Sequence, residues 1–251
     1  MTIFLWQEVS RLNLKFSLAF AWYYGFRTIK RGPSYVIASL SSPLTLLFLI
    51  YIISKGELIK YAVVGGFLGL VASVSFASVA DAAFLRIQLR IQDLFVASSI
   101  TPTDYILGLT LSYIIFSMPG LVLYAIIGYV IHIFTLYSIL SLVAILVVLT
   151  ISTAGLSMSI GGAVKHIRNV WGISAIMSVI LTVLPPTFYP YTYLPKYIIY
   201  ILAISPTTPA AVLAQAAFGF EPLMVPMIFI FIIEAVFFFG LARFFTRWRE
   251  N

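Results

Sequence analysis

The chain from Leu136 to Ala163 reads LYSILSLVAILVVLTISTAGLSMSIGGA, an apolar stretch without a charged side chain. An α-helix needs about 20 residues to cross a hydrocarbon core about 30 Å thick, so this stretch is long enough to span a membrane. Further stretches on either side reach or nearly reach the same length: Tyr35–Ile53, Tyr61–Ala80, Tyr105–Ile131, Val170–Tyr189 and Leu223–Phe245. The sequence therefore predicts one all-α integral membrane domain over residues 1–251, with six transmembrane helices.

Composition leads to the same class. Hydrophobic residues make up 62% of the chain and charged residues 9%, with a mean hydropathy of +1.08, whereas soluble proteins carry about a quarter charged residues. The net charge of +7 would suit nucleic acid, but Lys and Arg lie next to the ends of the apolar stretches. That pattern is typical of topology signals and contacts with anionic lipid. We therefore predict membrane lipids as partners and no nucleic acid. The absence of cysteine excludes disulfides and thiolate metal sites.

Lys and Arg residues are distributed unequally between the two sides of the predicted membrane domain. One set of connections and ends holds twelve of them, and the other set holds three. The twelve are Arg11, Lys15, Arg27, Lys30, Arg31, Arg86, Arg90, Lys165, Arg168, Arg243, Arg247 and Arg249; the three are Lys55, Lys60 and Lys196. Because positive residues are enriched on the cytoplasmic side, both termini of this multi-pass cell-membrane protein are predicted to be cytoplasmic. No cleavable signal peptide is visible, so the first span is expected to act as its own signal.

The region before the last span can be interpreted in two ways. It holds two short apolar pieces, Tyr197–Ile204 and Ala210–Phe220, split by SPTTP at 205–209. As one crossing they would form a seventh span and place the C-terminus outside, whereas each piece alone is too short to cross. We favour a re-entrant helical hairpin over residues 190–220, because Ser or Thr followed by Pro is typical of a capped helix start.

The N-terminal segment, residues 1–31, has helical periodicity. Its apolar residues lie on one stripe at spacings of four and three, and polar residues gather on another face. The stripe consists of Leu5, Val9, Leu12, Phe16, Phe20 and Tyr23. We predict an amphipathic helix at the cytoplasmic membrane surface; the alternative is a helix packed against the rest of the bundle.

A short repeat follows the second apolar stretch, with RIQL at 86–89 and RIQD at 90–93. Apolar residues alternate with polar ones as in a strand, but the period of four also fits a helix that stacks Arg86 on Arg90. We favour the helix, since a lone strand would have no partner. Its charged and apolar side chains would suit docking of a soluble protein; a solvated connector is the alternative. The sequence TPTD at 101–104 predicts that the third membrane helix begins near Pro102.

The order of these features resembles that of ABC-2 type exporter permeases. The resemblance rests on the cytoplasmic helix that runs into DLFVASSITPTDYILG (93–108), and on PTFYP (186–190), YLP (193–195) and ISPTTP (204–209) before the last span. It implies a dimer of permeases, expected to be a homodimer, engaged by two copies of a cytosolic ABC ATPase. ATP and Mg²⁺ are expected on that partner, and no cofactor is expected on this chain.

The same resemblance implies two functional regions. Residues 82–96 would contain the coupling helix that receives the ATPase, and the candidate contacts are Phe84, Leu85, Arg86, Arg90, Asp93, Leu94 and Phe95. The region 190–220 would line or gate the outer exit, and the candidate gate or substrate-path residues there are Tyr189, Tyr193, Tyr197 and Tyr200. These tyrosines also suit an aromatic belt at the membrane interface, or stacking on sugars or flat drugs.

Glu234 is the only acid well inside a predicted span. An intramembrane carboxylate is costly, so this residue is also a candidate for the gate or substrate path. The alternative is a structural glutamate hydrogen-bonded to a neighbouring hydroxyl group. In the stretch quoted above, the pairs Gly155/Ser159 and Ser157/Gly161 predict close packing of helices.

The chain contains no GxxxxGK[ST] phosphate loop and no HExxH or GxSxG motif. It is therefore predicted to be a transport subunit without enzymatic activity, with ATP hydrolysis on another polypeptide. Our leading hypothesis is the membrane subunit of an ATP-driven ABC exporter. Because charges are scarce in the spans, the expected cargo is amphiphilic, such as a lipid-linked glycan, a drug or a peptide. The alternatives are a secondary transporter or channel that works without an ATPase, and a scaffold subunit.

Overall fold

The computed structural model describes residues 13–98, 100–164 and 166–245. Within these ranges the chain is helical and forms no strand. The helices in chain order are α1 (Leu14–Ala21), α2 (Arg27–Arg31), α3 (Pro33–Ile53), α4 (Ile59–Ile87), α5 (Ile91–Val96), α6 (Pro102–Val130), α7 (Leu136–Ala163), α8 (Ile167–Val183), α9 (Lys196–Leu202), α10 (Thr207–Ala217) and α11 (Val225–Phe245). A π-helical turn, Trp22–Phe26, joins α1 to α2, and a 3₁₀ turn, Tyr191–Tyr193, precedes α9.

Five of the described helices are long and apolar enough to cross a membrane: α3, α4, α6, α7 and α11. The prediction of an all-α, multi-pass membrane protein is therefore confirmed. The remaining predicted span, Val170–Tyr189, corresponds to α8, which has 17 residues and a length of about 26 Å at 1.5 Å per residue. The predicted end of that span at Tyr189 is wrong: the helix ends at Val183 because Pro185 and Pro186 cannot continue it. The count of six spans stays a prediction that depends on α8.

Helix α4 is the centre of the bundle and α3 lies at its edge. The apolar part of α4 is 94% buried inside the chain, against 6% for α3. Helix α4 packs against α3, α6, α7, α8 and α10, and α7 in turn packs along α11. A Cβ atom on Gly155 would lie 2.7 Å from the backbone of Phe238 in α11, and one on Gly161 would lie 2.9 Å from the Val79 carbonyl in α4. The close packing predicted for α7 is confirmed.

The two ends of the bundle differ in chemistry. Helix α4 begins beside the loop that follows α10, where the Tyr61 hydroxyl donates to Glu221 Oε1 at 2.9 Å, and it ends beside the last turn of α7. We call the end of α4 that carries Arg86 the basic end, because it also carries Arg27, Arg90, Arg168 and Arg243. We call the opposite end the tyrosine end, because Tyr189, Tyr193, Tyr197 and Tyr200 lie there. Their sidedness in the cell stays a prediction.

The N-terminal helix packs against α6, and residues 1–12 of the predicted segment, with Leu5, Val9 and Leu12, lie outside the described residues. Its buried side is the stripe Ser17, Ala21 and Gly25, which faces Gly108 and Ser112 of α6. Its opposite side exposes Leu14, Leu18 and Trp22. The structure therefore supports packing on the bundle, as in the alternative interpretation, together with an exposed apolar stripe that suits a membrane surface.

One part of the predicted N-terminal stripe is wrong. Phe16 and Phe20 pack as expected, but Tyr24 and not Tyr23 continues their row, with the Phe20 and Tyr24 rings stacked 5.7 Å apart. Tyr23 is exposed instead. The reason is the π-helical turn, whose wider spacing rotates the following side chains relative to an ideal α-helix.

Two short helices, α9 with 7 residues and α10 with 11, occupy the predicted hairpin region. Helix α10 is buried against α4, α7 and α11. The predicted capping roles of the hydroxyls are wrong, because Ser205 Oγ donates to the Leu181 carbonyl of α8 at 2.9 Å, and Thr208 Oγ1 donates to the Leu202 carbonyl of α9 at 2.6 Å. Both hydroxyls thus tie α10 to the ends of preceding helices. Whether this region is re-entrant stays a prediction.

Candidate functional site

The predicted coupling segment consists of the last turn of α4, a link at Gln88–Arg90 and the short helix α5. The segment is helical on both sides of the link, but the continuous helix that would stack Arg86 on Arg90 is wrong. Arg90 has a positive φ of 48°, a conformation that ends a helix and redirects the chain. The helix α5 can therefore change direction relative to α4 at this link.

The candidate coupling residues divide into an exposed group and a packed group. Leu94 of α5 is 70% exposed, and Leu89 and Arg90 in the link are also exposed. Leu85 is only 3% exposed and lies in the core with Leu109 and Met158. Phe84 and Arg86 are half-buried, and Asp93 lies in α5. The segment therefore exposes a small apolar and cationic surface, which consists of Leu89, Arg90 and Leu94 and which we call the coupling tip. Its other side packs against the bundle through Leu85.

Phe95 anchors α5 through an aromatic cluster at the basic end. We call it the aromatic joint, and it consists of Phe16, Phe20, Tyr24, Phe95 and Tyr105. The Phe95 ring lies 5.2 Å from Phe16, 5.9 Å from Phe20 and 5.7 Å from Tyr105. The pairs with Phe16 and Phe20 are edge-to-face, an arrangement that stabilises packing. The joint ties α5 to the N-terminal helix and to the start of α6.

An acid inside α4 acts on the same joint. Burial, and then the nearby Asp81 carboxylate, raise the pKa of the Tyr24 phenol, which therefore stays neutral. Sequence reasoning missed Asp81, because its position near the end of an apolar stretch made it look like part of a solvated connection. The charge of Asp81 acts on Tyr105 as well.

Arg86 is engaged within the chain. Its guanidinium donates to the carbonyls of Gly162 and Val164, at the C-terminal end of α7. The last carbonyls of a helix lack partners in the helix and carry partial negative charge, so a cation is stabilising there. Arg86 thus connects α4 to the link between α7 and α8.

Asp104 joins the N-terminal helix to α6, and sequence reasoning identified it only as part of a helix start. The predicted start is confirmed: α6 begins at Pro102, with a capping box between Thr101 and Asp104. In addition, Asp104 Oδ1 accepts from the backbone N–H of Asn13 at 2.7 Å, and the Ser17 hydroxyl donates to the Asp104 carbonyl at 2.9 Å. The carboxylate is fully buried. No local signal in the sequence indicated its pairing with Asn13.

A groove of about 260 Å³ lies between α3, α4 and α8. Four hydroxyl side chains line it, together with apolar side chains, so its surface is amphiphilic. The hydroxyl residues are Ser42, Ser73, Ser178 and Thr182, and the apolar ones include Leu46, Val179 and Phe188. Among the described residues, no hydrogen-bond partner reaches the buried Thr182 Oγ1. The groove could therefore accept a molecule with both apolar and hydrogen-bonding groups.

The predicted gate tyrosines lie at the tyrosine end, and none of them lines this groove. Tyr193 and Tyr197 are each 66% exposed, Tyr200 is exposed, and the half-buried Tyr189 donates from its hydroxyl to the Leu184 carbonyl at 3.1 Å. Such exposure suits the aromatic belt as well as a contact with cargo. Their role in gating stays a prediction.

Glu234 is buried in α11, and no described residue offers Oε2 a hydrogen bond. The structural interpretation, in which a neighbouring hydroxyl satisfies the carboxylate, therefore lacks support at that oxygen. The groove does not include Glu234. The structure thus separates this acid from the residues that line the cavity.

Comparison with known proteins identifies the family. The family model described as ABC-2 type transporter matches residues 18–219, which is most of the chain. No curated protein matches the sequence. The chain therefore belongs to the ABC-2 type transporter family, and it is a multi-pass membrane permease and not an ATPase. Permeases of this family generally work with a cytosolic ABC ATPase.

Proposed function

We propose that this chain is the membrane subunit of an ATP-driven exporter that moves an amphiphilic substrate. The observation that carries the proposal is the two-sided coupling segment, with Leu94 exposed and Phe95 held in the aromatic joint. An exposed apolar and cationic tip suits docking of another protein, and the anchored side transmits its motion to the N-terminal helix and α6. Rigid-body movement of packed helices is the ordinary way to couple such a motion to gating.

The orientation follows from the distribution of charge. The basic end would face the cytoplasm, where Lys and Arg are enriched in membrane proteins, and both termini would lie there too. The coupling tip would then meet a soluble ATPase, which supplies ATP and Mg²⁺ sites that this chain does not encode. The tyrosine end would face outward, so the helices α9 and α10 would form the re-entrant hairpin near the exit.

A second permease would complete the path, and we propose that it is an identical copy. Only 6% of the apolar part of α3 is buried inside the chain, and residues of α3, α4 and α8 line the groove. A second copy that covers this face would close the groove laterally against lipid. The mixture of hydroxyl and apolar lining favours an amphiphile, such as a lipid-linked glycan, a drug or a peptide.

The experiment is co-purification with an ABC ATPase encoded in an adjacent reading frame, after co-expression with the tagged chain. We expect Leu94→Asp to reduce recovery of the ATPase about tenfold or more, because a charge is forced into an apolar contact. The matched control is Ile204→Asp, an exposed aliphatic residue at the tyrosine end, which should leave recovery unchanged. Equal recovery with Leu94→Asp, Arg90→Glu and the unmodified chain would contradict docking through this tip.

A transport assay separates the exporter from its main alternative. Proteoliposomes that contain the permease and the ATPase should accumulate a fluorescent amphiphile only with hydrolysable ATP. A secondary transporter would instead respond to an ion gradient without the ATPase. Transport by the permease alone would therefore contradict the proposed function.

A further inference from the structure

The segment from Pro185 to Phe188 is buried although it is not helical. It follows α8 and lies against α4 at Gly65 and Gly69, inside the bundle, where backbone polar groups need partners within the protein. The Thr187 hydroxyl donates to the Thr182 carbonyl at 3.1 Å, and the Thr187 N–H bonds to the Pro185 carbonyl. Three further hydrogen bonds to the backbone of this segment and its continuation come from one residue in another helix.

That residue is Gln215 of α10, which is almost completely buried. Its Nε2 donates to the Pro186 carbonyl at 2.8 Å and to the Tyr189 carbonyl at 2.9 Å. Its Oε1 accepts from the Tyr191 N–H at 3.0 Å. A glutamine side chain has two donor hydrogens and one acceptor oxygen, and here all three functions are used on one stretch of backbone. Gln215 therefore fixes the path of the segment.

Helix α4 provides the surface on which the segment rests. A Cβ atom on Gly65 would lie 2.2 Å from the Thr187 carbonyl oxygen, and one on Gly69 would lie 2.8 Å from Cζ of Phe188. Only glycine allows the backbone and the ring to approach so closely at these two positions. The Phe188 ring, 3% exposed, is consequently held against α4.

Phe188 also forms one wall of the groove, with Gly69 and Thr182 beside it. It is the lining residue that belongs to the segment joining α8 to the tyrosine end, whereas the other lining residues belong to α3, α4 and α8. We propose that Phe188 is the plug that closes the groove toward the tyrosine end, and that Gln215 is the positioning residue that holds the plug on Gly65 and Gly69. The interpretation of Phe188 as an exit gate rests on the proposed function. Under this proposal Phe188, and not the exposed tyrosines, closes the path.

The chain has no cysteine, which makes a labelling test direct. Ser178→Cys places a reporter thiol in the groove, and a charged, membrane-impermeant methanethiosulfonate is added separately to each face of sealed vesicles. The full-length permease is used in its membrane, without nucleotide. Tyr193→Cys, at an exposed position, identifies the face to which the tyrosine end is open.

We expect slow labelling of the Ser178→Cys reporter from the tyrosine face, and an increase of about tenfold or more when Phe188→Ala or Gln215→Ala is added, since an open state need gain only a modest population. Phe188→Leu retains most of the plug and should label slowly. Tyr193→Ala is the matched control that removes an exposed aromatic ring, and it should also label slowly. If Gln215→Ala does not give a monodisperse protein, Gln215→Glu tests the same bonds with nearly the same shape.

Unchanged labelling in folded Phe188→Ala and Gln215 variants would overturn the plug, as would equal acceleration by Tyr193→Ala. The readout needs no ATPase, so it is independent of the proposed function. Unchanged labelling together with normal ATPase co-purification would refute only this inference. Accelerated labelling without any ATPase association would support the plug and contradict the exporter.

Discussion

Replacement of the buried Asp104 by alanine should detach the N-terminal helix from the bundle. The carboxylate accepts from the Asn13 N–H at 2.7 Å, from the Thr101 N–H at 3.0 Å and from the Thr101 hydroxyl at 2.8 Å. A hydrogen bond to a charged group contributes about 1.5–3 kcal/mol. The two bonds from Thr101 share one oxygen and are not independent, so we count two interactions and expect Asp104→Ala to cost about 3–6 kcal/mol.

The assay has a global and a local readout. In detergent, the apparent unfolding temperature of Asp104→Ala should fall by roughly 10 °C, using about 2–4 °C per kcal/mol for a chain of this size. The matched control is Glu57→Ala, which removes an exposed acid and should change little. Locally, Ala21→Cys probes the packed side of the helix and Ala19→Cys its exposed side.

In the unmodified background, a thiol reagent should label Ala19→Cys quickly and Ala21→Cys slowly. Adding Asp104→Ala should bring the two labelling rates together, because the packed side becomes accessible. The reasoning on this buried carboxylate is refuted by two results together. The free energy of unfolding of Asp104→Ala would lie within about 1 kcal/mol of that of Glu57→Ala, and Ala21→Cys would remain protected from the thiol reagent.

The remaining predictions concern three other positions. Arg86→Met should lower the free energy of unfolding in detergent by about 2–4 kcal/mol, because two carbonyls at the end of α7 lose a cationic donor. Arg90 is exposed, so an equal decrease for Arg90→Met would contradict this. Gly65→Ala should cost about 1–3 kcal/mol or prevent folding, because its Cβ meets backbone, whereas Gly240→Ala has open space and should be neutral; equal thermal stability of the two variants would show that the segment does not rest on α4. Glu234→Gln should leave folding intact and reduce ATP-driven transport if the buried carboxylate, whose Oε2 has no hydrogen-bond partner among the described residues, serves the substrate path; full transport by this variant would leave a structural role.

The start of α6 and the packing of α7 show what local sequence can predict. The TPTD capping box places a helix start at Pro102 because its hydrogen bonds join residues three positions apart. Small residues in α7 indicate close contacts because only they let two helix backbones meet. By contrast, the end of α8 was placed too late, since the apolar composition of the run hid the effect of two prolines. The joint of Phe95 with Phe16 was also unpredicted, because it joins residues that are distant in the chain.

The amino-acid sequence determined that this is a helical membrane protein of the ABC-2 kind, because hydrophobic length, charge asymmetry and short-range capping are properties of neighbouring residues. The tertiary structure alone decided which side chains serve the site. It placed Leu85 in the core and Leu94 on the surface, paired Asp104 with Asn13, and brought Gln215 to the backbone of Pro186, Tyr189 and Tyr191. Those pairings depend on how the helices rotate and cross, and a pattern of uniform apolar residues gives little information about rotation.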